Sequence, residues 1–575
     1  MSGLVASGRS RRYTRLLPTG ALLAVLAVLV LLPIGMLVYA SVTDAVPRPG
    51  AVTGALTFSH FSELLSGANA SAAANTLILG LAGTALSMAI GGFLAWAAAR
   101  TDVPGKAMVQ LSGIIPLFVS SLVGAVAWST LASPGQGYLN IVFRAIGVPI
   151  ELNIYTLPGI AFVFGLYYAP YSFMLIYGAL SLMNPELEEA AKVYGASGRR
   201  TARHVTFPLV KPAIAASAVL TFGLIVENFP VPTLLGTPGG IDTLPSFIYR
   251  LMNAAPPQSN LAAAIGVGLT VIVLLILVVQ RRMLAKRRYT TVSGKGFRPR
   301  VIELGRWRWA VFALCASYIT LAVILPLAAL LQMSMRSQPF ISGVGDFFDV
   351  SVFGFQQFTA VLNDSTFQDA FRNSMIVGLL VMLAGGVLHS TMAFIVHRTR
   401  LPGRKLVEYI AMAPLAMPAV VLSLGFLWAW FLLPVPLYGT LLILVLAYVV
   451  RFMPQGYSSV STSLQQIHPD LEDSAYTSGA GPVRSATTIT FPLIRASVVS
   501  SALMLLILSM RELSAAVFLF TSQTRVLSIV IFDYMDGGVF ARAAAASILY
   551  SLVLGAIALL ARRYLGVTAA PSRGA

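Results

Sequence analysis

Leu187 to Leu209 reads LEEAAKVYGASGRRTARHVTFPL, and Leu471 to Leu493 reads LEDSAYTSGAGPVRSATTITFPL. Each stretch is polar, rich in small residues and broken by a glycine, yet each stands between strongly apolar neighbours. Taken from the preceding Pro185 and Pro469, the copies agree at 12 of 25 positions at an offset of 284. The surrounding chain is 57% hydrophobic and only 10% charged, with mean hydropathy +0.81. Soluble domains carry about 25% charged residues, so the fold class is expected to be an all-α polytopic membrane protein.

A hydrocarbon core of ~30 Å takes about 20 apolar residues as helix. Runs of that kind give twelve expected spans. The first six are 20–41, 75–99, 107–133, 157–182, 212–235 and 261–280. The second six are 308–333, 373–397, 407–432, 439–462, 495–519 and 541–562. Basic residues precede the first run as they do in a signal peptide, but Ala21 to Ala40 exceeds a signal core of about 7–15 residues and reads as a retained span. With the N terminus inside, 30 of the 39 Lys and Arg fall in cytoplasmic segments and 7 outside, the bias expected of short loops. Both termini are then cytoplasmic. The net charge of +18 follows from the same bias, and RRMLAKRRYT (281–290) reads as a topology anchor near anionic headgroups, not a nucleic-acid surface.

Residues 75–106 and 373–404 align without gaps at an offset of 298, with Asn75-Thr76 against Asn373-Ser374 and Gly80 against Gly378. The chain is therefore read as a first half, 1–280, a basic linker, 281–307, and a second half, 308–575. Six spans per half return the chain to the same side, so the repeats run parallel about an axis along the membrane normal. The repeated loops are 184–209 and 468–493. Asn184 is placed to cap a helix that opens with Pro185 and carries Glu186, Glu188 and Glu189 near its positive end. Gly195 and Gly479 suit the left-handed residue that ends it. A second short helix is expected to close before Pro208 and Pro492. A helix of some ten residues is marginal alone in water, so the small faces (Ala190, Ala191, Ala196; Ser474, Ala475, Ala480) are expected to pack on their own protein or dock into a partner.

The spacing Glu189-Ala190-Ala191, Gly195, then Val205-x-Phe207-Pro208 resembles the EAA motif of ABC-importer permeases. The second copy keeps it as Asp473-Ser474-Ala475, Gly479, Ile489-x-Phe491-Pro492, departing at Asp473 and Ser474. The resemblance implies a type I importer permease in which each loop is a coupling helix seated on one of two copies of an ABC ATPase subunit. It also implies an extracytoplasmic solute-binding protein as partner and residence in the bacterial cytoplasmic (inner) membrane. The chain contains no G-x-x-x-x-G-K-[ST] phosphate loop. ATP and magnesium are accordingly expected on the partner subunits, with no cofactor on this chain and no catalysis by it. The stretches 226–252 and 509–535 resemble the fifth-span regions of ferric-iron permeases, within a wider group that includes permeases for thiamine, polyamines and phosphonates.

The five histidines are scattered, Cys315 is solitary, and no metal-ligand spacing is present. Intramembrane charge is more informative, because it is costly and faces protein or a water-filled cavity. Glu227, Asn228, Arg511 and Glu512 are the candidates for the pathway. At offset 284 Glu227 corresponds to Arg511, and the two are expected to approach one another across the axis or to pack neighbouring helices as a fixed ion pair. Arg451, aligned with Tyr167, is a weaker candidate. A twelve-span transporter driven by an ion gradient would explain the halves and the charges, but not two matched loops. A membrane enzyme would need a convergent His, Cys or acidic cluster that the sequence lacks.

Overall fold

The computed structural model describes residues 19–45, 54–64, 67–184, 186–285, 301–337, 341, 343–468 and 470–565. Most of the linker and both chain ends, including the basic residues before the first span, lie outside them. Among the described residues, nine helices are long and apolar enough to cross a membrane, and three bent pairs bring the number to as many as 12. The unbroken ones are Thr19–Ser41, Gly67–Arg100, Leu157–Ser181, Gly198–Val226, Ser259–Gln280, Trp307–Met335, Ser365–Arg398, Ala486–Met510 and Phe540–Leu560.

The third, ninth and tenth spans are not straight. Lys106–Phe118 meets Ser121–Ala132 at 97°, Arg404–Ala416 meets Ala419–Leu432 at 114°, and Leu441–Arg451 meets Met453–Gln466 at 50°. Each of the first two pairs breaks at a 3₁₀ turn opened by Pro116 or Pro414, equivalent positions in the two halves. Proline removes a backbone donor and crowds the preceding turn. Ser120 restarts the helix in the first half, its side chain accepting from Leu122 N–H. Hydropathy counted these runs as continuous because it sums side chains and ignores the missing donors.

The fifth and eleventh spans also differ from expectation. They start at Gly198 and Ala486 and stop at Val226 and Met510, well short of 235 and 519. The expected short helices do open, at Gly198–Thr201 behind Ser197, whose side chain accepts from Arg200 N–H, and at Pro482–Ser485, but neither closes before Pro208 or Pro492. Instead a π-turn at Ala202–Thr206, and another at Ala486–Thr490, carries the chain directly into the span. Its wider ring lets Phe207 N–H reach Ala202 C=O just before Pro208.

The repeated residues have repeated jobs. Asn75 Nδ2 donates to Asp242 O at 3.0 Å, and Thr76 Oγ1 accepts from Leu244 N–H at 2.8 Å. In the second half Asn373 holds Gln523 O and Arg525 O at 3.0 Å, and Ser374 accepts from Leu527 N–H at 2.8 Å. A Cβ on Gly80 would stand 2.7 Å from Phe222 and one on Gly378 2.8 Å from Leu506, so glycine lets the second and fifth spans of each half approach closely.

The halves are interleaved. The first span packs against Ala419–Leu432 of the second half, where Gly425 admits Pro33 O, and Leu325–Met335 packs against Ser121–Ala132 of the first. Each half thus lends its opening helix to the other, and the core runs continuously between them.

Candidate functional site

The first loop forms Glu186–Val193 and the second Asp470–Thr477. Asn184 Oδ1 accepts from Glu186 N–H at 2.9 Å, as capping chemistry requires. Gly195 has φ +80° and Gly479 φ +83°, a region that side-chain-bearing residues avoid. Ala196 N–H bonds Ala191 O at 3.0 Å and Ala480 N–H bonds Ala475 O at 2.9 Å, closing both helices alike.

Glu189, Ala190 and Gly195 are exposed and Ala191 is half-buried; Asp473, Ser474 and Gly479 are exposed and Ala475 is half-buried. Phe207 and Phe491 are exposed at the start of their spans, beside the half-buried Pro208 and the exposed Pro492. The most protruding apolar residues of the first loop are Val193 (85% exposed) and Tyr194 (90%), about two turns beyond Leu187. The equivalent positions of the second loop are Thr477 and Ser478, both exposed.

On the helix Glu186–Val193 one residue faces inward, and the sequence offered it only as a helix-end acid. Glu188 is buried, ion-paired with Arg100, and accepts from Thr206 Oγ1 at 2.6 Å. Glu472 repeats this with Arg398 at 3.4 Å and Thr490 Oγ1 at 2.6 Å. The signal was present as the matched Arg100/Arg398, Glu188/Glu472 and Thr206/Thr490, which neither repeat alone brings together.

The central charges gather where the fifth and eleventh spans unwind. Glu227 and Arg511 are the residues that end these helices, not residues inside them. The expected Glu227–Arg511 approach is replaced by another pair: Arg451 Nη2 reaches Glu227 Oε1 at 2.6 Å, with both side chains 12% exposed. Arg511 Nη1 donates instead to Leu117 O at 2.5 Å, in the bend of the first half's third span. Arg451 Nη1 extends to Met417 O at 3.4 Å, in the corresponding bend of the second half. A carboxylate at 227 has no donor for that bend, and Arg451 supplies one. The first half carries Tyr167 at the position of Arg451, its ring against Gly124.

Asn228 and Glu512, equivalent by the repeat, brace the unwound segments. Asn228 Nδ2 donates to Tyr168 OH at 2.8 Å, and its Oδ1 accepts from Val231 N–H at 3.1 Å. Glu512 Oε1 accepts from Ala515 N–H at 2.9 Å, and its carbonyl accepts from Tyr448 OH and Ser528 Oγ. Around them Phe229 and Tyr249 of the first half meet Phe518 and Phe532 of the second, with ring centroids 5.9–6.1 Å apart across the axis. No group of three His, Cys, Asp or Glu side chains suited to a metal ion is present among the described residues.

Comparison with known proteins supplies the family. The chain is 26% identical over 508 residues to the ferric transport system permease protein FbpB of Actinobacillus pleuropneumoniae, covering 86% of this chain and 70% of that one. It is 22% identical over 510 residues to an Fe(3+)-transport system permease protein of Haemophilus influenzae, covering 88% and 90%. It is 29% identical over 244 residues to the inner membrane ABC transporter permease protein YdcU of Escherichia coli, 40% of this chain and 77% of that one. Among solved structures, a bacterial ABC transporter involved in alginate import aligns with TM-score 0.40 at 22% identity, over 50% of this chain and 99% of that one. The model of the binding-protein-dependent transport system inner membrane component family matches twice, at residues 87–289 and 390–566, and the chain belongs to that family with two permease units in tandem.

Proposed function

We propose that this chain is the transmembrane permease subunit of an ATP-driven importer of ferric iron, working with two copies of a separate ATPase subunit and an extracytoplasmic iron-binding protein. The observation that carries the reading is the duplicated loop: two exposed helices, each ended by a left-handed glycine, one per half, related by the axis between the halves. A motor made of two like subunits needs two like sockets. The apolar tip formed by Val193 and Tyr194 fits a cleft on such a subunit. Both termini lie in the cytoplasm with the loops.

The loaded binding protein docks on the external segments 42–74 and 334–372. ATP closes the two ATPase subunits, which carry the coupling helices, and the halves rock about the central contact. The path opens outward, accepts the ion, and resets on hydrolysis. This chain makes and breaks no covalent bond. ATP and magnesium sit on the motor subunits, and lipid surrounds the exchanged outer helices. Iron as cargo is supported by the long resemblance to the two ferric permeases.

Proteoliposomes containing this chain with its ATPase subunit, and ATP inside the compartment the loops face, should take up radiolabelled ferric ion from the loaded binding protein. Omitting the ATPase subunit should abolish uptake. Uptake driven by a proton or sodium gradient without that subunit would overturn the reading. Purifying the binding protein with a different bound solute would reassign the cargo alone.

A further inference from the structure

An eight-residue helix seated on a motor transmits force only through whatever ties it to the membrane spans. Glu186–Val193 is too short to hold its own shape in water. Its buried residue is one carboxylate, Glu188. Glu188 binds Arg100, the last residue of the second span, and Thr206, the last residue of the turn that becomes the fifth span. Arg100 and Glu188 are buried, at 3% and 6% exposed, and Thr206 is half-buried. Coupling helix, second span and fifth span therefore meet at a single oxygen, Glu188 Oε1.

The second half builds the same junction from Arg398, Glu472 and Thr490, with Thr490 fully buried. Its three members keep their identity across the repeat, whereas neighbours on the helix change from Glu189 to Asp473, Ala190 to Ser474 and Lys192 to Tyr476. The second junction reaches further, since Arg398 Nη2 also donates to Leu464 O and Ile467 O at the end of the tenth span. The first is joined by the end of the linker, where Ile302 N–H donates to Arg100 O at 2.7 Å. Buried ion pairs are poor general stabilisers, because apolar side chains of similar volume often do as well. What an ion pair with a third hydrogen-bonding partner adds is direction.

We propose that Arg100–Glu188–Thr206 and Arg398–Glu472–Thr490 are the rigid joints that make each coupling helix move as one body with the second and fifth spans of its half. These are positioning residues: none contacts nucleotide or cargo. The proposal rests on the reading of the loops as coupling helices, and its test separates the two.

Spin labels at Lys192→Cys and Leu81→Cys, both exposed positions, report the distance from coupling helix to second span in the complex with the ATPase subunit. The native thiol, Cys315, is buried. With intact joints a single narrow distance is expected, unchanged when nucleotide is trapped. Thr206→Val with Thr490→Val keeps side-chain shape and removes the hydroxyls; it should at least double the width of the distribution and lower ferric ion imported per ATP about fivefold, with ATPase binding unchanged. Thr206→Ser with Thr490→Ser should behave as the parent. Arg100→Gln with Glu188→Gln, which leaves no lone buried charge, is the second disruptive variant. Narrow distances and parental import per ATP in both disruptive variants would overturn the proposal. Failure of the parent chain to bind the ATPase subunit would remove the coupling reading instead, while the label distance in the isolated chain still reports whether the joint holds the helix.

Discussion

Replacing Glu227 with alanine leaves the Arg451 guanidinium between the halves with one hydrogen bond, to Met417 O at 3.4 Å, and the more distant Glu512 carboxylate. In the parent chain two unit charges about 4 Å apart, at an effective dielectric of ~20, attract by about 4 kcal/mol. Both side chains are 12% exposed, so solvent screens the pair little. Breaking a buried pair by removing one partner costs about 3–5 kcal/mol, in line with that figure and equal to roughly three powers of ten in an equilibrium constant. Because Glu227 and Arg451 belong to different halves, the loss falls on the contact between them, which the proposed importer opens in its cycle. Two readouts follow. Thermal unfolding of the purified chain should shift down for Glu227→Ala and for Arg451→Ala, and ATP hydrolysis by the full complex without binding protein should rise. The charge exchange Glu227→Arg with Arg451→Glu should recover most of both losses, whereas Glu227→Arg with Arg511→Glu should recover neither. A double-mutant coupling between 227 and 451 below about 0.5 kcal/mol, the level of an exposed pair, would refute the assignment.

Three further outcomes are expected. Gly456→Ala drives a methyl into the His389 ring; overpacking of this kind costs about 1–3 kcal/mol, visible as a lower melting temperature, and His389→Gly in the same chain should relieve it. Gly195→Val and Gly479→Val place a β-branched residue at φ near +80°, costing about 1–2 kcal/mol per site; import per ATP should fall in the reconstituted complex before melting temperature does, since both sites are exposed. Asp364, outside the eighth span, is pulled upward by burial, but hydrogen bonds from Tyr534 OH and Thr366 N–H outweigh this and hold its carboxyl below the usual range. A depressed carboxyl contributes stability above the unfolded value of about 3.9 and loses it as pH falls through the folded one. Asp364→Asn should therefore lower the melting temperature at about pH 7, and that deficit should shrink as the pH falls below about 3.9.

Membrane topology and the repeat were legible because each leaves a long-range trace: apolar runs of span length, and two loops matching at a fixed offset. Gly195, Gly479 and the Asn184 cap were legible from local chemistry. The bends at Pro116 and Pro414 were visible as prolines yet hidden by side-chain hydropathy, which stays high through a broken backbone. The partner of Glu227 was misassigned for a different reason. Pseudo-symmetry pairs position 227 with 511 in sequence, but contacts across an axis join a residue to whatever the other half brings there, and that was Arg451 from the tenth span. Glu188 escaped notice because its two partners sit in separate aligned segments of the same half, Arg100 at offset 298 and Thr206 at offset 284.

The asymmetry at the centre follows from having both halves on one chain. Two identical subunits would present the same residue at 227 and 511, either two acids or two bases facing one bend each. A base at both positions could bond both bends directly, as Arg511 bonds Leu117 O, but would leave two like charges beside the axis. An acid at both could bond neither. With the halves fused, one position keeps the arginine, the other takes Glu227, and Arg451 restores the missing donor in the space that Tyr167 fills opposite. The cluster Glu227, Arg451, Arg511 and Glu512 then holds equal numbers of acids and bases, so parting the halves exposes matched charge to the path instead of a net field. Arg451→Tyr, which copies the first half into the second, tests this directly: it should leave Glu227 unpaired, loosen the contact between the halves as Glu227→Ala does, and be rescued by Glu227→Gln. A copied tyrosine that left unfolding and basal ATP hydrolysis at parental values would show that the asymmetry is dispensable.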